Sequence, residues 1–450
     1  MKLWQKDYEI DKRIDGFVVG DDWLFDQRLV RFDAIGTIGH IKSLNKLGII
    51  TDDEEKKIKN CLLEIIELDK KKEFVISPSD EDCHTKIENY LIEKLGDVGK
   101  KVHTGRSRND QVILAIRLYS KSTLIEIRKK TISLIEAFLN LAKEGENIPM
   151  PGRTHLQKAM PSSVGLWAGA FSESIIDGLS IIESAYRMND QSPLGAGSSY
   201  GVPIDIDRDF IREIFGFSRI QKNSLYVINS RGKQEAYILF SLLWIILDLS
   251  KFAEDLIIFS LPEFGYFFFP DSFLLGSSMM PQKKNPSFLE IIRARSNTFI
   301  SYISRIFSII NSLPSGYNQD LQETKKTFFL GLDLAEKIID TSILIVQNLR
   351  INEDNLTKGF TRDIFATDHA IDLVLNEGIP FRDAYRKVAE EIENLPSPDP
   401  YVSLKKRKHI GGPGNLMLDE LKEEINRAKE RIRKDEEGFI NKINGLLSTE

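Results

Sequence analysis

The sequence predicts an all-α protein whose centre is an elongated bundle of long helices. Residues 112–142 contain neither glycine nor proline, and apolar residues recur there with the i, i+3, i+4 spacing of one helix face. A helix of that length would span about 45 Å. Strand-like alternation is nearly absent from this core, and short connections favour packing side by side. Four further stretches have the same helical character, at residues 162–187, 234–260, 287–312 and 323–348.

Shorter helical elements flank this central region. Before it, residues 22–47 and 52–71 are the clearest helices. Beyond about residue 350 the predicted helices shorten, and a proline-rich linker at residues 395–400 precedes a charged helix at residues 416–447. We therefore predict three domains: a helical N-terminal domain (1–110), the long-helix bundle (111–350) and a small helical C-terminal domain (351–450).

The composition is that of a soluble globular protein. Of the 450 residues, 42% are hydrophobic and 28% are charged. The formal net charge is −6, the pI is near 5.8, and no extended basic stripe is evident. These features argue against nucleic acid as a partner.

Three features indicate a cytoplasmic location without a membrane partner. Cys61 and Cys83, the two cysteines, have neither CxxC nor metal-ligand spacing, which fits a reducing compartment. Residues 1–7 lack the apolar centre of a signal peptide. The most hydrophobic run, residues 236–247, is shorter than the roughly 20 residues of a membrane span. We expect it to be a helix buried on all sides.

Residues 276–286, with the sequence GSSMMPQKKNP, form the stretch best suited to chemistry. Small residues leave backbone N–H groups exposed, and prolines on both sides of the basic part keep it out of a helix. Asn285 and Pro286 are expected to be the N-cap and first residue of the next helix, which places a positive dipole end beside two lysines. The loop is therefore suited to hold an anion close to the hydroxyl of Ser277.

Three other polar clusters stand at the ends of long helical stretches. HTGRSRNDQ, at residues 103–111, offers two arginines and an amide, and guanidinium binds carboxylate in a bidentate fork. PGRTHLQ, at residues 151–157, places His155 beside the hydroxyl of Thr154. YNQDLQETK occupies residues 317–325. Loops at helix ends meet in a bundle, so these clusters could converge.

Each cluster also has an ordinary structural interpretation. Ser287 and Glu290 fit a capping box, although Glu290 would be free if Asn285 were the cap. Ser107 or Asn109 could simply cap the longest helix. A lone histidine is more often structural than catalytic, and residues 317–325 could be a capped helix start with solvated charges.

The four clusters together resemble a known family. GSS-x-MP-x-K-x-NP is similar to the signature of the fumarase/aspartase superfamily, and its QKKNP form resembles the argininosuccinate lyase branch. HTGRSRNDQ, the G-x-THLQ-x-A-x-P pattern at residues 152–161 and YN-x-DLQE-x-K at residues 317–325 match that branch in the same order. The resemblance extends from about residue 20 to about residue 390.

The resemblance implies the reversible cleavage of argininosuccinate into arginine and fumarate, a step of arginine biosynthesis. A proton must leave a carbon next to a carboxylate, and preorganised cations such as Lys283 stabilise the resulting charge. Ser277 would be the base after loop closure. His155, oriented by Thr154 and made more basic by Glu290 of the partner subunit, would protonate the leaving nitrogen; the reverse assignment of acid and base uses the same two groups. The implied substrate-binding residues are His84, Ser107, Arg108, Asn109, Arg231, Asn285, Tyr317, Gln322 and Lys325.

The resemblance further implies a homotetramer with a shared helical core, active sites built from three chains, and no metal, nucleotide or organic cofactor. Adenylosuccinate lyase is the alternative within the superfamily, although its loop would favour an MPHK-type sequence. A non-catalytic, crystallin-like structural protein on the same fold is the alternative of another class. Retention of Ser277, His155, Lys283 and Glu290 together argues against it.

Three positions depart from the family pattern. Arg153 stands where a tyrosine is usual, Asp22 replaces a serine before the first long helix, and Gly232 replaces the aspartate of a Ser-x-Arg-Asp segment. These changes leave the proposed catalytic groups intact but affect the surroundings of the substrate.

Overall fold

The computed structural model describes residues 10–448 and confirms an all-α fold. The segment used to argue against a signal peptide lies outside the described residues. The N-terminal helices are α1 (Lys12–Val19), α2 (Asp22–Asp26), α3 (Val30–Lys46), α4 (Asp52–Lys70), α5 (Cys83–Leu95) and α6 (Asp97–Lys100). The central helices are α7 (Arg108–Glu144), α8 (Val164–Asn189), α9 (Arg208–Phe215), α10 (Ser224–Asn229), α11 (Lys233–Phe259), α12 (Ser287–Ile310) and α13 (Glu323–Asn348). The C-terminal helices are α14 (Glu353–Lys358), α15 (Ala366–Glu377), α16 (Phe381–Glu390), α17 (Pro400–Lys406) and α18 (Leu418–Leu447).

Short strands form three two-stranded sheets among the described residues. The strands are β1 (Pro149–Thr154), β2 (Gln157–Ser163), β3 (Gln191–Ser192), β4 (Arg219–Ile220), β5 (Phe267–Phe268) and β6 (Arg350–Ile351). The antiparallel pair β1 and β2 is a hairpin, β3 and β4 run parallel, and β5 and β6 run antiparallel.

The longest helix, α7, starts four residues earlier than its apolar pattern predicts. Ser107 is the N-cap: its hydroxyl accepts the N–H of Asn109, and its own N–H donates to Asp110. This capping box draws the polar residues of the HTGRSRNDQ motif into the first turn. With 37 residues, α7 extends over about 55 Å.

The five long helices pack as the predicted bundle. α7 lies against α8 and α13, while α11 contacts α8, α12 and α13. A single apolar core extends from Leu29 to Leu446, because α18 packs along α7. A separate small cluster in the C-terminal part holds Ala370, Ala384 and Val388. The division into three domains stays a prediction.

The expectation that residues 236–247 are buried on all sides is wrong for a single chain. One face of α11 is packed inside the bundle, but Phe240, Trp244 and Leu247 are 41%, 49% and 48% exposed. The helix therefore lies at the side of the bundle and leaves an apolar face uncovered within one chain. Among the described residues, α11 is the one helix long and apolar enough to cross a bilayer, and more than half of its most apolar part is buried within the fold.

Candidate active site

A polar cavity of about 280 Å³ lies where the ends of several helices meet. Five chain segments form its wall: the end of α1 with the start of α2, the start of α5 with the residues before it, the first turns of α7, the residue Arg231 before α11, and the start of α13 with the residues before it. The structure thus brings together seven of the nine residues expected to bind substrate: His84, Arg108, Asn109, Arg231, Tyr317, Gln322 and Lys325.

The first turn of α7 supplies Arg108 and Asn109 to this wall. Arg108 is not a free cation, because it lies 3.3 Å from Glu81 and 3.1 Å from Asp82. The amide of Asn109 donates to the hydroxyl of Ser198 at 3.4 Å. Ser107 serves as the helix cap, the ordinary interpretation of that residue, and does not border the cavity among the residues described.

Lys325 is buried at one end of the cavity and faces two carboxylates. Its Nζ lies 2.6 Å from Oδ2 of Asp22 and 2.5 Å from Oδ1 of Asp26. Burial opposes the charge of Lys325, but both carboxylates outweigh it and raise the pKa of this lysine. Burial raises the pKa of Asp22 to about 6 against the attraction of Lys325. Burial also opposes the charge of Asp26, but Lys325 and His84 lower its pKa.

His84 forms a second buried ion pair beneath the cavity. Its Nδ1 lies 3.0 Å from Asp33, whose carboxylate also accepts from Gln111 at 2.8 Å. Burial disfavours the charged imidazole, yet Asp33 outweighs burial and raises the pKa of His84. Side-chain atoms of His84, Cys83 and Asp26 lie within 4.8 Å of one another, a spacing that could hold a metal ion. Asp26 already pairs with Lys325, His84 pairs with Asp33, and burial raises the pKa of the Cys83 thiol, so each group of this trio is otherwise accounted for.

Arg231 is a buried cation of the wall that forms no close ion pair within residues 10–448, although burial raises the pKa of Asp22 and of Glu235 against its attraction. It is 5% exposed, its guanidinium lies 5.9 Å from the centre of the Tyr317 ring, and no ion pair joins it to a described residue. The backbone fixes it firmly, since the next residue, Gly232, has a φ of +80° and donates its N–H to Glu235 at 2.7 Å. A Cβ at Gly232 would lie 2.4 Å from Ile310. The aspartate of the family pattern would therefore not fit this backbone.

Gln322 ties the last turn of α1 to the start of α13. Its Nε2 donates to the carbonyl of Val18 at 3.0 Å, and its Oε1 accepts from Gln319 at 2.5 Å. Gln319 in turn accepts from the hydroxyl of Tyr317 at 3.3 Å. This chain of side-chain hydrogen bonds places three polar groups along one side of the cavity.

His155 stands at the tip of the β1–β2 hairpin, which the sequence did not predict. His155 and Leu156 form the two-residue turn, with φ of +54° and +62°, the handedness that suits the twist of a hairpin. The left-handed conformation is unfavourable for leucine, by about 1–2 kcal/mol. Arg153 stabilises this turn by donating to the Leu156 carbonyl at 2.9 Å, and its guanidinium lies 4.7 Å from the ring centre of Phe264. Arg153, which stands where the family has a tyrosine, therefore supplies a cation that stabilises the turn.

The hairpin tip is exposed and borders another cavity. Thr154 and His155 are both accessible. His155 lies at the edge of a space of about 610 Å³ between the hairpin, α8 and α11, whose wall also contains Trp167 and Asp255.

The 276–286 loop projects from the bundle between two paired backbone positions. Leu275 and Asn285 exchange N–H···O bonds of 2.9 and 2.8 Å. Asn285 is consequently not the N-cap of α12, as the sequence suggested: the cap position falls on Pro286, and α12 begins at Ser287. No capping box between Ser287 and Glu290 forms either, because Ser287 is itself in the first turn, and Glu290 is exposed one turn into the helix.

Within this loop the hydroxyl of Ser277 and the two lysines have different surroundings. The N–H groups of Met279 and Met280 donate to Oγ of Ser277 at 3.3 and 3.1 Å. Lys284 pairs with Asp271 at 2.8 Å. Lys283 is exposed and pairs with no carboxylate of the described chain.

One chain does not bring all the predicted site residues together. Within the described residues, the wall of the 280 Å³ cavity includes none of the catalytic candidates and not Asn285. Those residues lie on the hairpin tip, the projecting loop and the start of α12: Thr154, His155, Ser277, Lys283 and Glu290.

Comparison with known proteins places this geometry in a family. A family model described as Lyase matches residues 18–299. An argininosuccinate lyase of Thermotoga neapolitana is 42% identical over 87% of this chain and 98% of that protein. Another, of Sorangium cellulosum, is 39% identical over 95% of this chain and 99% of that protein. The chain belongs to the argininosuccinate lyase family. The resemblance read from the four motifs is thus confirmed.

Solved structures share the fold of this lyase. The crystal structure of EDDS lyase in complex with formate has a TM-score of 0.83 at 21% identity, covering 98% of this chain and 95% of that one. A fumarate lyase:delta crystallin from Brucella melitensis bound to cobalt has a TM-score of 0.69 at 18% identity, covering 90% and 91%. At such identities the likeness concerns the fold alone.

Sequence reasoning missed two carboxylates that organise the site of this lyase. Asp26 lies one helical turn after Asp22, and that i, i+4 spacing could have indicated a shared partner. Asp110 accepts the N–H of Ser107 and also the N–H groups of Gly195 and Gly197, at 3.1 and 2.8 Å. Its place three residues after the cap serine was the available signal.

Proposed function

We propose that the protein is an argininosuccinate lyase, an enzyme that cleaves argininosuccinate reversibly into arginine and fumarate and so produces arginine. The observation that carries this proposal is the composition of the cavity, where polar groups from five separate chain segments meet. Its wall holds both cations and carboxylates. Such a wall suits a substrate that carries several carboxylates together with an ammonium and a guanidino group.

Ser277 is the proposed base that takes the proton from the carbon beside the succinyl carboxylate. A free hydroxyl is too weak an acid for this role, so its anion must be stabilised. The two backbone N–H groups that donate to Oγ of Ser277 supply that stabilisation. Closure of the loop over the substrate would remove water and strengthen both hydrogen bonds.

Lys283 is the proposed electrostatic partner of the carbanion. The carboxylate next to the deprotonated carbon acquires a second negative charge, and an ammonium close to it lowers the barrier. Lys283 suits this role better than Lys284, because Lys284 is held by Asp271.

His155 is the proposed acid that protonates the departing guanidino nitrogen. Thr154 lies beside it at the end of β1, and Glu290 of the partner subunit would hold the opposite ring nitrogen and keep the imidazole basic. The hairpin presents His155 away from the bundle, in a position suited to enter the cavity of another subunit.

A homotetramer with sites built from three chains follows from this assignment. The exposed apolar residues of α11 have counterparts on the next two helices, where Ile300, Phe307 and Leu344 are 41%, 49% and 51% exposed. Apolar faces of this kind on long helices favour a shared helical core. We place the enzyme in the cytoplasm, in keeping with its two free, buried cysteines.

A direct assay tests the proposal against its alternatives. Fumarate release from argininosuccinate, followed by ultraviolet absorbance, should be rapid, whereas adenylosuccinate should release none. Release from adenylosuccinate alone would favour the other lyase. No release from either substrate by a folded tetramer would favour the structural, crystallin-like alternative.

A further inference from the structure

Arg231 also borders a second, much smaller cavity, which lies between α7 and the start of α11. Its volume is about 10 Å³, room for a single occupant about the size of a water molecule. The polar side chains of its wall include Arg117 and Ser120 of α7, and Gln234 and Glu235 in the first turn of α11. The first turn of a helix carries the positive end of the helix dipole, which favours a negative charge nearby.

Four buried polar atoms of this wall lack a hydrogen-bond partner within residues 10–448: Nε of Arg117, Oγ of Ser120, Nε of Arg231 and Nε2 of Gln234. Arg117, Ser120 and Arg231 are 2%, 1% and 5% exposed, so bulk water does not satisfy them. The three nitrogens can only donate, and the hydroxyl can donate as well. Since buried polar groups in folded proteins are almost always paired, four such atoms around one space indicate an occupant that accepts hydrogen bonds.

The other nitrogens of Arg117 bind neutral oxygens. Nη1 donates to the backbone carbonyl of Gln191 at 2.6 Å. Nη2 donates to the side-chain oxygen of Gln221 and, at 3.2 Å, to Oγ of Ser230. No carboxylate of the described chain forms a close ion pair with this guanidinium, and burial lowers the pKa of Arg117 to about 9. Its positive charge is therefore surrounded by dipoles but not balanced by a negative charge in contact with it.

The wall carries one more positive charge than negative charge. Its charged residues are Arg117, Arg231 and Glu235. Glu235 attracts both guanidiniums but forms no close ion pair with either in the described part of the chain, and its Oε2 accepts the N–H of Gly232 at 2.7 Å. One carboxylate for two guanidiniums leaves a charge that one monovalent anion would balance.

Charges outside the wall do not remove this excess. Arg208 and Arg219 both oppose the charge of Arg117. Near the other guanidinium, the attraction of Asp22 is countered by Lys325, which pairs with that carboxylate at 2.6 Å. The surroundings of the small cavity therefore stay positive.

We propose that this cavity binds a single halide ion, chloride in the cell. A monatomic anion fits the space and accepts hydrogen bonds from all four unpaired groups, whereas a water molecule would also have to donate hydrogen bonds of its own. Polyatomic anions such as sulfate and phosphate exceed the space. The ion balances the positive charge of the wall and holds the guanidinium of Arg231, which also lines the 280 Å³ cavity.

Anomalous diffraction tests the site directly. Crystals of the wild-type protein are transferred to sodium bromide and measured at the bromine absorption edge. We expect an anomalous peak between Nε of Arg117 and Nε of Arg231. Peaks confined to the protein surface would indicate an adventitious ion only and overturn the proposal, as would a cavity that holds a water molecule without anomalous signal.

Thermal unfolding tests the site in solution. The wild-type midpoint should be about 2 °C or more higher in sodium chloride than in sodium gluconate of equal concentration, because an ion that binds only the folded chain stabilises it. Gln234→Glu should lose this difference, since its own carboxylate supplies the negative charge. Ser120→Val should lose it too, because the added methyl groups fill the space.

Gln347→Glu is the matched control, because it makes the same change at an exposed position of α13. It should keep the difference between the two salts. A wild type that responds equally to both salts would overturn the proposal, and so would a difference that persists in both Gln234→Glu and Ser120→Val. Neither experiment uses a substrate, so its outcome is independent of whether the protein cleaves argininosuccinate.

Discussion

The carboxylate of Asp110 accepts the backbone N–H of Gly197 at 2.8 Å, joining the first turn of α7 to a loop 87 residues further along the chain. The same oxygen accepts from Gly195, and the other oxygen accepts from Ser107. Asp110 is completely buried, and burial raises its pKa to about 6. One side chain thus fixes the position of Asn109, its neighbour in the cavity wall.

We predict that Asp110→Asn weakens both folding and substrate binding. An amide has one acceptor oxygen, so it cannot satisfy Ser107 and the two glycines together, and its NH₂ group would face buried N–H donors. The expected loss in the free energy of unfolding is about 1–3 kcal/mol, with a higher KM for argininosuccinate. Urea unfolding and steady-state kinetics measure these effects. Asp209→Asn, at an exposed carboxylate on α9, is the control; an unaltered KM in Asp110→Asn would contradict the positioning role.

Arg128 should hold the C-terminal helix on the bundle. It is 1% exposed, donates to Asp435 of α18 at 2.7 Å, and lies 3.4 Å from Glu183. Removing one member of a buried ion pair costs about 3–5 kcal/mol. We expect Arg128→Met to lower the free energy of unfolding by an amount at the lower end of this range, because Glu183 keeps its contact with Arg431. The midpoint of thermal unfolding measures the effect.

The surface of the same helix supplies the control for Arg128→Met. Arg433 pairs with Glu430 and Glu437, both at 2.7 Å, in full contact with water. Exposed pairs contribute little, so Arg433→Met should leave the midpoint almost unchanged. If both substitutions lower the midpoint of thermal unfolding equally, Arg128 does not hold α18 on the bundle.

Ser277→Ala should eliminate turnover while preserving binding. The hydroxyl is the proposed base, and loss of an acid–base group costs about 10²- to 10⁴-fold in rate. The cavity residues remain, so the variant should bind argininosuccinate with an affinity near the KM of the wild type, measured by calorimetry. Ser272→Ala, at an exposed hydroxyl before the loop, should retain full activity. Unchanged kcat in Ser277→Ala would exclude this serine from catalysis.

Mixing two inactive variants should restore activity. His155 and Ser277 both lie outside the cavity wall of their own chain, and we propose that different subunits deliver them to one site. After unfolding and refolding together, His155→Ala and Ser277→Ala chains should form some sites with neither substitution. Each variant refolded alone is the control. Failure of the mixture to gain activity would argue that both groups come from the same chain.

Affinity for arginine should weaken as the pH falls through about 6. The pKa of Asp22 is raised to about 6 by burial, with Lys325, Asp26 and Arg231 facing it. Protonation removes one negative charge from the cavity wall, so KM for arginine, a net cation, should rise on the acidic side, and Asp22→Asn should lack this rise. A carboxyl whose folded pKa is raised binds its proton more tightly when folded, so this group stabilises the fold as pH falls from 6 toward 4. If KM for arginine rises while the circular dichroism signal stays constant, the loss of affinity comes from protonation of Asp22 and not from unfolding.

Much of the helical scaffold could be predicted from the sequence, because long helices leave a periodic apolar signal. Residues 323–348 match α13 at both ends. The hairpin escaped prediction because Pro149, Pro151 and Pro161 lie within its strands, and proline cannot donate to a sheet ladder. Asn285 looked like an N-cap, but its backbone pairs with Leu275 instead.

The sequence reveals the candidate site residues more readily than it reveals the carboxylates with which they form ion pairs. The motifs around Arg108 and Lys325 are local in sequence, so a pattern reveals them. The ion pair between Lys325 and Asp22 joins positions some three hundred residues apart, and only the folded chain brings them together. Periodicity carries no information about such contacts, which depend on how helix ends meet in the bundle.

The separation of the hairpin tip from the cavity has a consequence for newly made enzyme. On the proposed assignment, a lone folded chain would already possess the pocket that binds substrate, whereas its proposed acid, His155, would act only in a neighbouring subunit. Unassembled subunits would then bind argininosuccinate without cleaving it. The activity per subunit would increase with protein concentration until all subunits are assembled.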